Sequence, residues 1–387
     1  MIRYSKNFLI NVMVLLLAVL ISGCSDFSNY SDSKDINDKL IVTTIACDKK
    51  DGEIWFYIEI ANIQASQGGE AGGGSTGDKY ITVKAHGKTF TEARQNLDRK
   101  LDQPLYLSGA RTLLLTENFA KEDLVEYLYR LRADETYRKK VITIIIRENT
   151  KKLFKALHEQ NDSVGYSIEK TMKTLDGSGE SFSRSTSRLL ENLSDTNAGI
   201  LIPCIGLQDK EISLVGYSVV NDTKVTDFIP IEASKGLVML KAEKARSYFI
   251  VPYNDFQFTV ETTLTKRKVK ASYVDGKINF AVTLAFKAKV MYGDKKTPYN
   301  LDDNATQEMT ATLKEMIEKE LLAAIVQAQK EYKTDYLQMD DIFRIKYPVE
   351  FEKMDWQNEF LKANITIDTK VVLSATHMMD YGLNETR

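Results

Sequence analysis

Alternation of apolar and polar positions is longest from Phe256 to Tyr273 and from Ile278 to Tyr292, with Asp275-Gly276 between them. Period-two patterning predicts strands, and Asp-Gly between two such runs predicts a hairpin. After it the period changes. Met309, Leu313, Met316, Ile317, Leu321, Ala324, Ile325, Ala328 and Tyr332 recur at three- and four-residue steps behind Asn304, read as the helix cap. This stripe predicts a helix about 40 Å long at about 1.5 Å per residue. It serves either as a core helix on the hairpin, the simpler reading, or as a helix offered to a partner. Met339 to Tyr347 reads as a short element, Pro348 opens a helix through Phe360, and Ile365 to Leu373 reads as a last strand.

The first half alternates in type instead. Strands are expected at Leu40 to Cys47, Ile54 to Ile63, Tyr80 to Ala85, Arg111 to Thr116 and Val141 to Arg147. Helices are expected from Thr89 to Leu101, Glu117 to Leu131 and Thr150 to His158, then two short ones around 176–180. A hairpin joins Ile212–Val220 to Lys224–Ile229, and Glu232 to Leu240 forms a helix. Strand–helix alternation followed by long strands gives an α+β class: a multidomain mixed α/β chain, with sheets covered by helices and a C-terminal domain of a long hairpin packed by a long amphipathic helix. The expected divisions are 1–23, 24–38, 39–198, 199–252 and 253–387.

The first two dozen residues change the picture. Arg3 and Lys6 precede an uncharged run from Asn7 to Ser25, which ends in Ser22-Gly23-Cys24. A basic start, an apolar segment and small residues form a secretory signal, 1–23. Cys24 directly after the small pair resembles a bacterial lipobox, with diacylglycerol, and palmitate among its acyl chains, attached at the Cys24 sulfur. A plain membrane span is the alternative, since the run is just long enough. Two or more acyl chains anchor stably where one holds marginally. Residues 24–38, rich in Ser and Asp, read as a polar tether.

The 387 residues carry 52 basic and 54 acidic side chains, a net charge of −2. That balance argues against nucleic-acid binding, and against a polybasic grip on lipid. Cys47 and Cys204 either pair in an oxidising compartment or lie as small apolar residues in strand cores. The glycine cluster from Ser66 to Gly77 lacks the strand-to-helix setting and Gly-Lys-Ser/Thr ending of a phosphate loop, and reads as a flexible loop. The basic residues from Lys266 to Lys270 read as a solvated strand face rather than an anion or membrane patch.

Candidate chemistry is sparse. His86, His158 and His377 fall in no metal-binding spacing. Ser178 lies outside a nucleophile elbow. Asp302-Asp303 and Asp340-Asp341 stand where helix capping accounts for them. No catalytic residue, metal or cofactor is expected, and Cys24 is the one site residue assigned, as lipid acceptor.

Several segments in order resemble the Ger(x)C spore germination lipoproteins, the C subunits of nutrient germinant receptors. They are Asp35-Ile36-Asn37-Asp38 with Ile41 to Asp48, Gly87-Lys88-Thr89-Phe90-Thr91-Glu92-Ala93, Leu105-Tyr106-Leu107 with Leu113 to Ala120, and Asp134 to Arg138. Near the end Gln329 to Asp335, Tyr347-Pro348, Trp356 and Phe360 are similar to the family's C-terminal signature. The resemblance implies a lipid-anchored protein on the outer face of the inner spore membrane. Its implied partners are a membrane-embedded permease-like receptor subunit and a large partly soluble receptor subunit. It implies output through protein–protein contacts, without catalysis. The alternatives are a solute-binding lipoprotein of a transporter and, less well supported, a surface hydrolase.

Overall fold

The computed structural model describes residues 38–62, 78–122, 124–195, 199–221, 223–293 and 302–374. The signal segment, Cys24, nearly all of the tether, the glycine cluster and Asp222 lie outside the described residues.

The first sheet contains β1 (Leu40–Lys50), β2 (Glu53–Ala61), β3 (Tyr80–Gly87), β4 (Leu105–Tyr106), β5 (Thr112–Thr116), β6 (Ile142–Ile146), β7 (Ile200–Gln208), β8 (Glu211–Asn221) and β9 (Lys224–Pro230). Its order is β3-β2-β1-β5-β6-β7-β8-β9, with β4 pairing the start of β1. The centre, β1-β5-β6-β7, is parallel, and antiparallel strands extend it on both sides. Continuous apolar runs such as Leu113-Leu114-Leu115 and Ile144-Ile145-Ile146 point to both faces, so such a centre must be covered twice. The helices are α1 (Phe90–Asp98), α2 (Glu117–Glu122), α3 (Leu124–Ala133), α4 (Thr150–His158), α5 (Val164–Ser178) and α6 (Thr186–Asp195). On one face Ile45, Leu113, Leu115 and Ile145 pack with Phe90, Phe119, Leu128 and Leu190. On the other, Ala46, Leu114, Ile144 and Ile146 pack with Leu153, Phe154, Ile168 and Met172.

The chain then adds α7 (Lys235–Lys241), β10 (Arg246–Tyr253), β11 (Phe256–Val274), β12 (Lys277–Gly293), α8 (Asp303–Val326), α9 (Met339–Lys346), α10 (Pro348–Phe351), α11 (Trp356–Lys362) and β13 (Asn364–Ser374). The second sheet runs β10-β11-β12-β13, antiparallel except for the parallel β12–β13 pair. The apolar stripe of α8 is buried from Ala305 to Ile325, and the helix packs against α7, β10 and β13. Gly236 permits the α7–α8 approach, since a Cβ there would lie 1.9 Å from the Glu320 carbonyl oxygen.

Several details differ from the sequence expectation. Asp302, not Asn304, caps α8, accepting from the Ala305 N–H at 2.8 Å. The helix expected from Pro348 to Phe360 is two helices, because Asp355 caps a new one at Trp356. Strands β7 and β10 were not anticipated. Residues 199–252 do not hold a separate sheet: β7 pairs with β6, so β7–β9 continue the first sheet. One buried cluster reaches from Ala46 and Ile146 through Tyr217 and Ile229 to Phe258, Phe286 and Leu321. The two sheets therefore share a core.

Candidate functional site

Cys24 lies outside the described residues. Cys47 and Cys204 are buried free thiols on β1 and β7. Three strand spacings separate them, about 14 Å at about 4.8 Å each, beyond disulfide reach. Burial raises both thiols, that of Cys204 to about 12. Ser178 is the last residue of α5 and donates to the Leu175 carbonyl at 3.0 Å. Among the described residues no group of three His, Cys, Asp or Glu side chains could hold a metal. No described helix is long and apolar enough to cross a membrane.

Two polar centres do form inside the protein. The first surrounds Glu59 on β2, which is fully buried. Its carboxylate accepts from Thr43 Oγ1 at 2.5 Å, Thr44 Oγ1 at 2.8 Å and Ser163 Oγ at 2.7 Å. It also accepts from the N–H groups of Val164 and Gly165, at 2.8 and 3.3 Å, in the first turn of α5. His158 Nε2, at the end of α4, lies 2.8 Å from Oε1 and is the donor, since a carboxylate only accepts. Burial opposes the charge, but the bonds from His158, Thr43, Val164 and Ser163 outweigh it and hold the carboxyl below its ordinary range. Gly165 lets the α5 terminus come this close: a Cβ there would stand 2.2 Å from the Thr43 carbonyl oxygen. This centre ties β1, β2, α4 and α5 together. It offers no reacting group to solvent beyond the edge of His158, so its role is architectural.

The second centre lies where the segment between α5 and α6 meets the second sheet. Arg184 from that segment, Lys241 at the end of α7 and Arg267 on β11 line a cavity of about 280 Å³, together with Gln338. Alternation on β11 sorts the basic run: Lys266, Lys268 and Lys270 are exposed, whereas Arg267 is only partly exposed and lines the cavity. Gln338 Oε1 accepts from Lys241 Nζ at 2.8 Å and Arg184 Nη2 at 3.2 Å. Arg267 Nη1 donates to the carbonyls of Leu240 and Ala242 at 2.7 and 3.0 Å. Burial lowers all three cations, Lys241 to about 7, and for Lys241 the repulsion of Arg184 and Arg267 adds to it.

Behind this cavity, buried Asp335 accepts from the N–H groups of Met339 at 3.1 Å and Asp340 at 2.9 Å, and from Trp356 Nε1 at 3.0 Å. Asp335 thus does the capping of α9 expected of Asp340-Asp341. Asp340 is instead fully buried, with neither carboxylate oxygen in a hydrogen bond of ordinary geometry among the described residues. Burial, then Asp335 and Asp341, raise its carboxyl to about 7. The folded protein therefore keeps a proton that the unfolded chain releases near 3.8, and stability falls as pH rises between those values. Asp340→Asn should match the wild type near pH 4 and exceed it above pH 7 by on the order of 3 kcal/mol, read from urea unfolding at both pH values. Equal stability at pH 8 would contradict this assignment.

The comparisons agree with this architecture. Residues 32–207 match the spore germination protein N-terminal domain, and residues 215–377 match the spore germination B3/GerAC like C-terminal domain. Spore germination protein KC of Bacillus subtilis (strain 168) is 22% identical, covering 94% of this chain and 94% of its own. Spore germination protein A3 of the same organism is 22% identical over 96% of this chain and 98% of its own. The crystal structure of the GerBC protein superposes with a TM-score of 0.56 at 16% identity, covering 85% of this chain and 96% of that one, and so shares the fold. Two consecutive domain matches cover nearly all of the described residues, and on that ground the chain belongs to the spore germination protein family that these two domains define.

Proposed function

We propose that this chain is the C-type subunit of a spore nutrient germinant receptor, held at a membrane through lipid on Cys24 and acting through protein–protein contacts. The supporting observation is the near end-to-end similarity to proteins named for spore germination, KC and A3 among them. In this reading the body stands on the outer face of the inner spore membrane. A permease-like membrane subunit and a large partly soluble subunit are its neighbours, and tethering raises the effective concentration at which modest interfaces engage. No catalytic step is assigned to it. A transporter's solute-binding lipoprotein would close two similar lobes on a cleft; the two sheets here differ in size and strand direction and share a continuous core.

The test is Cys24→Ala in the full chain, followed by membrane fractionation of spores and co-purification of receptor subunits. The variant is expected to fold and to leave the membrane fraction. Membrane retention equal to wild type would show that lipid is not what holds it. Wild-type protein that brings down no receptor subunit would overturn the receptor assignment.

A further inference from the structure

We infer that the cavity lined by Arg184, Lys241 and Arg267 is a binding site for a small organic anion, a carboxylate or phosphate. The inference stands on the cavity itself and is independent of the receptor reading. The three cations come from three separate elements and form no salt bridge among the described residues, although Asp335 and Asp340 attract Lys241, and Glu243 attracts Arg267, from farther away. Asp341, the acidic residue in the wall, is engaged by Arg344 Nη2 at 2.7 Å. Partly buried like charges raise the energy of the folded state unless an opposite charge joins them.

The polar lining is arranged for an acceptor. Gln338 adopts a left-handed backbone (φ 62°), rare for a residue with a side chain, and its Oε1 holds Lys241 and Arg184 side by side. That leaves the Gln338 amide N–H groups and the other donors of both arginines for a ligand; planar guanidinium groups match carboxylate and phosphate oxygens well. Val269, Val282 and Ile342 line the same cavity. These walls favour an anion with a carbon skeleton over a bare inorganic ion. Arg184 comes from the segment following α5, whereas Arg267 belongs to the second sheet, so an occupant would bridge the two halves of the chain.

The experiment uses the full chain purified in detergent, at pH 6.5. Sodium succinate, sodium benzoate and sodium phosphate are titrated against sodium chloride at matched ionic strength, with thermal unfolding and calorimetry as readouts. At least one of the three is expected to raise Tm saturably over chloride, with one site per chain. Lys241→Met and Arg184→Met should each weaken that binding at least tenfold, and should keep a chloride Tm at or above wild type because each removes a like charge. Hydrogen exchange of the wild type provides a readout that needs no variant: bound anion should protect the amides of 337–342. Absence of a saturable effect from all three anions would overturn the site. So would binding undiminished in both variants, or protection confined to other segments.

Discussion

Glu59→Ala is expected to cost about 3–5 kcal/mol, the range for removing one partner of a buried charged network. The loss follows from what stays behind. Three hydroxyls, His158 and two amides at the start of α5 would face a buried space without their shared acceptor. A urea midpoint shift at unchanged m-value measures it. Glu59→Gln keeps the shape and part of the accepting capacity, and should cost less. The pH dependence has a definite sign. A carboxyl held below its unfolded value of 4.5 contributes stability above that pH and loses it as pH falls through the folded value. The gap between wild type and Glu59→Gln should therefore narrow as pH falls below 4.5. A gap that stays constant from pH 7 to pH 3 would mean that the ionised carboxylate is not what holds α5 on β1.

Trp356→Ala is expected to be of similar size, about 3–5 kcal/mol for a large buried ring. Trp356 is 1% exposed, and its ring lies 5.3 Å from Phe351, 5.5 Å from Phe343 and 6.4 Å from Phe280 between centroids. It also supplies one of the three donors that hold Asp335. Trp356→Phe separates the two contributions: most of the packing remains, while the lost donor to a buried carboxylate costs about 1–3 kcal/mol. Because Asp335 also caps α9, both variants should speed hydrogen exchange at the Met339 and Asp340 amides. Unchanged exchange there would show that the indole serves packing alone.

What could be read from the chain depended on how local the signal was. The β11–β12 hairpin and α8 are long, regular patterns, and their registers follow from neighbouring residues. Strand β7 was hidden by Pro203, which cannot donate within a central ladder. The structure accommodates it because β6 pairs only with Cys204 and Ile205, just beyond the proline. Strand β10 is short and contains Pro252, tolerable because it forms an edge. Missing β7 also misplaced the division at 198, since its pairing to β6 spans about sixty residues of sequence. Both polar centres were invisible for the same reason. Glu59 finds Ser163 and Val164 more than a hundred positions away, and Arg267 stood inside what looked like a uniform basic run. The one hint for Glu59 was an acid between Ile58 and Ile60 in a strand otherwise buried. His158, which belongs to no motif, is explained only by that acid.

The parallel pairing of β12 with β13 carries a consequence for how the molecule is made. Asn279 aligns with Asn364 and Lys289 with Ser374, so the strand that completes the second sheet is the last one described. α8 packs on that strand too, and its Glu318 accepts from Thr369 Oγ1 at 2.6 Å. While the chain emerges from the ribosome, one edge of β12 and part of the α8 stripe must wait uncovered until residues 364–374 have been synthesised. The nascent chain is thus exposed to misassociation along that edge until β13 arrives.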